Sequence, residues 1–247
     1  MLKHHNLISF IFGLGFLILM QIFAEPSPNF RFMIPAFVVY AIVFILYNRW
    51  YLKQIQSFNI WTIAQSALLL FAAFGLSFNL PSAFLRGIFL TSAVAVITFY
   101  EILLGSRSES VLLNETLLIA FGIFFYFSAA YHYVPGYETF YLAGVFFASF
   151  LLARSFYEFM AQPVKTKIVG SAAIGLFMCE AYWALNFLPF HFSVLSILLF
   201  NFFYFFLLLN YYHTFHILNF KKLQFHFVFI IVTSSLALLA TPWRIVS

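Results

Sequence analysis

The chain has 247 residues, of which 64% are hydrophobic and only 8% are charged, and its formal net charge is +5. Because so few charges cannot cover the surface of a water-soluble domain, the composition excludes that class and predicts a polytopic α-helical membrane protein. The positive charge is spread over short segments between apolar runs, so the lipid bilayer is the expected partner and nucleic acid is not.

Apolar stretches long enough to cross a bilayer predict nine helices, at 6–24, 32–51, 59–79, 84–104, 111–132, 138–160, 167–188, 192–218 and 224–241. The connections are too short to hold a soluble domain, so residues 1–247 are predicted to form a single transmembrane domain. The expected fold class is an all-α bundle of four helical hairpins plus one helix. The first stretch is expected to be retained rather than cleaved, because Ile22 stands where a signal peptide needs a small residue.

Lysine and arginine are distributed unequally between the two ends of these helices. Nine lie on the side of the N-terminus, namely Lys3, Arg49, Lys53, Arg107, Arg154, Lys165, Lys167, Lys221 and Lys222. Three lie on the other side, namely Arg31, Arg86 and Arg244. Positive residues favour the cytoplasmic side, so we predict a cell-membrane protein with a cytoplasmic N-terminus and an external C-terminus.

Prolines recur in the turns on the opposite side from the N-terminus. Pro81, Pro135 and Pro189 are separated by 54 residues each. Two membrane-crossing helices with short turns need about that many residues, which explains the spacing as a series of similar hairpins. A duplicated hairpin is the alternative explanation, since "SFNLPSAF" and "LNFLPFHF" resemble each other.

One carboxyl is predicted to lie near the middle of the bilayer. Glu180 precedes Pro189 by nine residues, Asn201 comes to about the same depth in the next helix, and Thr233 and Ser234 reach that depth in the last helix. Tyr204 is close by. No lysine or arginine is available at that depth, so we expect a protonated carboxyl that hydrogen-bonds to Asn201, a hydroxyl or a tyrosine.

This candidate polar layer has two interpretations. It is either a polar contact that holds helices together, or a site that handles protons or a substrate. The other charged residues inside the helices, Glu101, Arg154 and Glu158, are expected near helix ends, where side chains reach the interface or pair with each other. Arg154 and Glu158 are four residues apart and can face each other.

Histidines form a second candidate site in "NYYHTFHILNFKKLQFHF". His213 and His216 are three residues apart, and His226 follows the turn. Paired histidines at this spacing can bind a metal, as in the histidine boxes of membrane desaturases and hydroxylases, which this stretch resembles. The alternative is an interfacial belt of aromatic residues and histidines, in which Lys221 and Lys222 contact anionic lipid headgroups.

The sequence has no motif for a nucleophilic or phosphate-binding site. The chain has no Gly-x-Ser-x-Gly elbow, no glycine-rich phosphate loop and no aspartate, and Cys179 is its only cysteine. We therefore expect no cofactor, and no catalytic residue can be assigned.

The C-terminal third, "EAYWALNFLPFHFSVLSILLFNFFYFFLLLNYYHTFH" through "LLATPWRIVS", resembles uncharacterised multi-pass bacterial membrane proteins. The resemblance implies a bacterial inner membrane and carries no activity.

Three function classes remain open on the sequence. The first is a transporter or permease centred on Glu180 and Asn201. The second is a structural or partner-binding membrane protein. The third is a membrane-embedded enzyme that acts on lipid or isoprenoid through His213, His216 and His226. A water-accessible cavity that reaches Glu180 would favour the first, and convergence of the three histidines would favour the third.

Overall fold

The computed structural model describes residues 2–24, 30–55, 59–78, 83–104, 109–158, 163–214 and 220–240. Within these ranges the chain forms nine α-helices and no strand, which confirms the predicted all-α class. The helices are α1 (Leu2–Ala24), α2 (Phe30–Gln54), α3 (Ile60–Phe78), α4 (Ala83–Leu103), α5 (Glu109–Tyr133), α6 (Glu138–Tyr157), α7 (Val164–Asn186), α8 (Phe192–Thr214) and α9 (Phe220–Leu239).

Eight of these helices, α1 to α8, are long and apolar enough to cross a membrane, and α9 has a shorter apolar stretch, Leu223–Leu239. Apolar side chains are also exposed along the helices, as on α2, where Val39 is 61% exposed. A helix of about 20 apolar residues spans the hydrocarbon of a bilayer, where such exposed side chains contact lipid. The chain is therefore a multi-pass membrane protein.

The helices belong to two compact units, Met1–Glu115 and Thr116–Ser247. Helix α5 begins in the first unit and has most of its length in the second. The prediction of a single transmembrane domain stays a prediction.

In the first unit, α1 packs most extensively along α4 and also contacts α2 and α3. The close approach depends on Gly13, where an added Cβ would lie 2.6 Å from Thr98 Oγ1 and 2.9 Å from the Val94 carbonyl oxygen. Small residues at such crossings allow membrane helices to pack backbone against backbone. On the α2 side, Phe12 and Phe44 meet edge to face with their ring centroids 5.1 Å apart.

In the second unit, α6 packs most extensively on α7, and α8 contacts both α7 and α9. Helix α5 is joined to α7 by the hydroxyl of Tyr182, which donates to the Phe127 carbonyl over 3.0 Å. The turn from α5 to α6 contains Pro135 and Gly136, and the φ of Gly136 is 100°. This left-handed conformation favours glycine, so the turn reverses the chain in few residues.

Candidate functional site

Asn201 joins α8 to α9. Its side chain is buried, and its Nδ2 donates to Thr233 Oγ1 over 2.9 Å and to Ser234 Oγ over 2.8 Å. Thr233 in turn donates to the carbonyl of Phe229 over 2.8 Å. The structure thus brings together three of the residues that the sequence placed at one depth, and it connects them as a polar contact between neighbouring helices.

Glu180 does not join this contact, so the expected bond from Glu180 to Asn201 is absent. Glu180 lies on an exposed face of α7, whereas Met178 and Tyr182, two residues away on either side, are buried. A helix turns about 100° per residue, so Glu180 points away from the face that Met178 and Tyr182 share. Counting residues from a turn gives depth along a helix and leaves the direction of the side chain undetermined.

Tyr204 contacts a histidine rather than the Asn201 cluster. Its hydroxyl hydrogen-bonds with His226 Nδ1 at 2.6 Å, and the hydroxyl of Tyr212 hydrogen-bonds with His226 Nε2 at 3.1 Å. Both ring nitrogens of His226 therefore have a tyrosine of α8 as partner. This contact is a second polar link between α8 and α9.

The predicted metal-binding histidines are placed differently. His213 is exposed near the end of α8, His226 is engaged by two tyrosines, and His216 lies outside the described residues. In the part of the chain that the structure describes, no group of three or more His, Cys, Asp or Glu side chains could hold a metal. The side chains of Lys221 and Lys222 are also outside the described set, so their contact with anionic lipid stays a prediction.

Glu101 in α4 is a deeply buried carboxyl, with no exposed surface. Its Oε1 accepts a hydrogen bond of 2.9 Å from Nδ2 of Asn48, which is equally buried in α2. The sequence placed Glu101 near a helix end, which is correct, but predicted that it reaches the interface, which is wrong. Helices α1 and α2 cover it instead.

His5 completes this polar cluster from α1, where it is only 2% exposed. Its Nε2 lies 2.8 Å from the backbone oxygen of Glu101, and its Nδ1 lies 2.8 Å from the hydroxyl of Tyr47. Because a carbonyl oxygen only accepts, Nε2 carries the hydrogen and Nδ1 accepts from Tyr47. The imidazole also stacks on Tyr51, with ring centroids 3.5 Å apart.

The first predicted helix began at residue 6, so the sequence interpretation left His5 outside it and missed its contacts. The sequence does contain a pattern that indicates the burial of His5, since His5, Ser9 and Gly13 are spaced four residues apart and lie on one face of α1. That face is buried, and the Ser9 hydroxyl donates to the His5 carbonyl over 2.8 Å. Polar and small residues in phase on an apolar helix indicate a face that packs against other helices.

A charged cluster lies where α6 ends and α7 begins. Arg154 pairs with Glu158, which confirms the predicted contact, and Lys167 Nζ lies 3.8 Å from the Glu158 carboxylate. Lys167 also donates to the Glu158 backbone oxygen over 3.2 Å. Arg154 is only 4% exposed, so it is packed between helices rather than extended along the lipid surface. The arrangement ties the ends of two helices together.

A small cavity of about 50 Å³ lies in the second unit, where α5 ends and α6 begins. Its lining residues come from α5, α6 and the end of α7, and they are Tyr131, Glu138, Leu142, Tyr182, Trp183, Asn186 and Phe187. Asn186 donates from Nδ2 to the Tyr182 carbonyl over 2.8 Å, while its Oδ1 is buried without a partner among the described residues. The cavity combines aromatic rings with a carboxylate and an amide, and Glu180 is not part of its lining.

Comparisons of the chain with protein-family models, with curated proteins and with solved structures found no match.

Proposed function

We propose that this chain is a structural, self-associating protein of a bacterial cytoplasmic membrane, which binds a second copy of itself through the exposed face of α7. The orientation proposed with it has a cytoplasmic N-terminus and an external C-terminus, as the distribution of lysine and arginine indicates. The observation that carries the proposal is the exposed position of Glu180 within a membrane-crossing helix.

The exposed face of α7 has a regular spacing. Six exposed residues follow one another along this face at alternating intervals of four and three residues. We call this line the α7 seam, and its residues are Val169, Ala173, Leu176, Glu180, Trp183 and Phe187. This spacing is the heptad pattern by which two helices pack along a shared line. Ala173 is small enough to let two helix backbones approach, as at other interfaces between membrane helices.

Glu180 is the one ionisable residue in this seam. A carboxyl that faces hydrocarbon alone costs several kcal/mol, so such a residue calls for a polar partner. All copies of a membrane protein insert with the same orientation, so Glu180 of one copy meets Glu180 of another at equal depth. A neutral carboxyl both donates and accepts, and two of them can therefore form a reciprocal pair across a twofold axis.

The two other function classes have less support in the geometry. The transport hypothesis calls for a cavity that reaches Glu180, and Glu180 is not among the lining residues of the cavity at the end of α7. The enzyme hypothesis calls for convergence of histidines, whereas His226 has both nitrogens engaged by tyrosines and His213 is exposed.

The proposal is tested by measuring energy transfer between copies of the full-length protein in vesicles, with donor and acceptor fluorophores on N-terminal tags. The amide of Glu180→Gln keeps a hydrogen-bond donor and an acceptor, so the self-association of this variant should stay within about twofold of that of the wild type. Glu180→Leu should weaken association by about fivefold, the effect of losing about 1 kcal/mol of interhelical hydrogen bonding.

Cys179→Ser is the matched control, because Cys179 is adjacent to Glu180 but lies outside the α7 seam. Its association should equal that of the wild type. The proposal would be overturned if Glu180→Leu associates as strongly as the wild type. It would also be overturned if energy transfer between wild-type copies is no greater than between unrelated membrane proteins.

A further inference from the structure

The cavity at the end of α7 has a lining with a consistent chemical character. Four of its lining residues are aromatic, and they are Tyr131, Tyr182, Trp183 and Phe187. The remaining polar lining residues are Glu138 and Asn186, and no lysine, arginine or histidine is among them. Aromatic faces attract cations, and a carboxylate adds a full negative charge, so this lining is suited to a positively charged group and unsuited to an anion.

The polar groups around the cavity are arranged so that acceptors remain available. The hydroxyl of Tyr182 is used as a donor to Phe127, and Nδ2 of Asn186 is used as a donor to Tyr182. The Asn186 Oδ1, which is buried, has no partner among the described residues. A buried acceptor without a donor costs free energy, so a ligand that supplies N–H donors would be stabilised at this position.

Glu138 lies in the first turn of α6, where the helix N-terminus stabilises a negative charge. Its side chain is exposed, so the rim of the cavity is accessible at Glu138, whereas Trp183 and Phe187 on the same rim belong to the α7 seam and contact the second copy in the proposed dimer. The cavity of about 50 Å³ exceeds the 10–15 Å³ that one water needs by the same measure, which leaves room for a small polyatomic head group.

We propose that this cavity binds an ammonium group, held by the carboxylate of Glu138, by the acceptor oxygen of Asn186 and by the aromatic rings that surround it. The cavity lies at the ends of α5 and α7, where apolar helices reach the headgroup region of a bilayer. The ammonium group belongs either to an aminophospholipid headgroup or to a free small amine, and both present the same chemistry to the cavity.

The lipid source is tested on the full-length protein by native mass spectrometry, with equal amounts of phosphatidylethanolamine and phosphatidylglycerol in the detergent micelle. The free-amine source is tested by saturation-transfer NMR with methylammonium chloride. Preferential retention of phosphatidylethanolamine identifies the lipid source, and saturation transfer to methylammonium without lipid preference identifies the free amine. Either result supports the proposal if it depends on the cavity residues.

Glu138→Gln removes the negative charge, and Tyr131→Leu removes an aromatic ring of the lining that is outside the α7 seam, so each variant should weaken the observed binding by about fivefold or more. Trp50→Leu is the matched control, because Trp50 is exposed and lies outside both the cavity lining and the α7 seam, and binding should be unchanged in it. Glu138 is outside the α7 seam, so loss of binding in Glu138→Gln with normal self-association separates this site from the proposed dimer.

The proposal is overturned if neither probe binds the wild type above the level of the phosphatidylglycerol control. It is also overturned if binding is equal in the wild type, in Glu138→Gln and in Tyr131→Leu. Should one cavity variant fail to fold, as judged by its elution from a sizing column, the other gives the result by itself.

Discussion

Asn48 of α2 donates a hydrogen bond of 2.9 Å to Glu101 of α4, and both side chains are fully buried inside the first unit. The bond joins two helices that are separated by 53 residues in sequence. A buried polar group that loses its partner costs free energy, so this pair couples the position of α2 to that of α4.

Replacement of Glu101 tests the coupling. Glu101→Leu removes the acceptor of Asn48 and should destabilise the protein by about 1–3 kcal/mol, because the amide of Asn48 is then buried without its bond. Glu101→Gln has a side chain of similar shape and keeps a carbonyl oxygen that can accept the bond, so its free energy of unfolding should fall by less. Chemical unfolding in mixed micelles gives both values, and equal stability of the Leu and Gln variants would show that the bond contributes nothing.

His5 is expected to contribute through its two hydrogen bonds. His5→Phe preserves an aromatic ring for stacking on Tyr51 but removes the bonds to Tyr47 and to the Glu101 carbonyl, and it should lower stability by about 1–3 kcal/mol. His213→Phe is the matched control, because His213 is exposed, and its stability should stay within about 0.5 kcal/mol of the wild type. Thermal unfolding followed by circular dichroism compares the two variants, and equal changes would contradict a specific role for His5.

Gly13 is expected to be intolerant of a larger side chain. A Cβ there would lie 2.9 Å from the Val94 backbone oxygen, so Gly13→Ala must push α1 away from α4, at a cost of about 1–3 kcal/mol. Gly87→Ala is the control, since nothing lies within 4 Å of its added Cβ, and it should be neutral or slightly stabilising. The midpoints of unfolding in denaturant measure both, and a stable Gly13→Ala protein would show that α1 and α4 are less closely packed.

The contact of Asn201 with α9 is best measured as a coupling energy. A double-mutant cycle of Asn201→Ala with Ser234→Ala should give about 0.5–1 kcal/mol, the usual size of a polar contact between membrane helices. The same cycle with Ser235→Ala should give a value near zero, because Ser235 is exposed and has no bond to Asn201. A larger coupling to Ser235 than to Ser234 would contradict the observed hydrogen bonds.

The helices were predictable from sequence because the thickness of the bilayer sets their length and the polarity of the turns sets their ends. The predicted helix 192–218 begins where α8 begins, at Phe192, and the predicted helix 138–160 begins where α6 begins, at Glu138. In both cases the nearby prolines at 135 and 189 end the preceding helix region.

The direction of individual side chains was harder to predict, because it depends on which neighbour a helix face meets. Glu180 and Glu101 illustrate the difficulty, since depth along the helix predicted a hydrogen-bonded Glu180 and an interfacial Glu101, whereas the Glu180 side chain is exposed and that of Glu101 is fully buried. Asn201, Thr233 and Ser234 were grouped correctly because α8 and α9 are consecutive, so equal distance from their turn brings residues together. No such local rule links His5 to Glu101.

Self-association through the α7 seam is tested most directly by disulfide cross-linking in native membranes. In a Cys179→Ser background, which has no other cysteine, Leu176→Cys lies in the seam and Phe147→Cys lies on an exposed face of α6. The two residues are 58% and 59% exposed, so their intrinsic access to oxidant is matched. We predict that oxidation gives a disulfide-linked dimer with Leu176→Cys and little with Phe147→Cys, and equal yields from both positions, or none from Leu176→Cys, would contradict the proposed dimer.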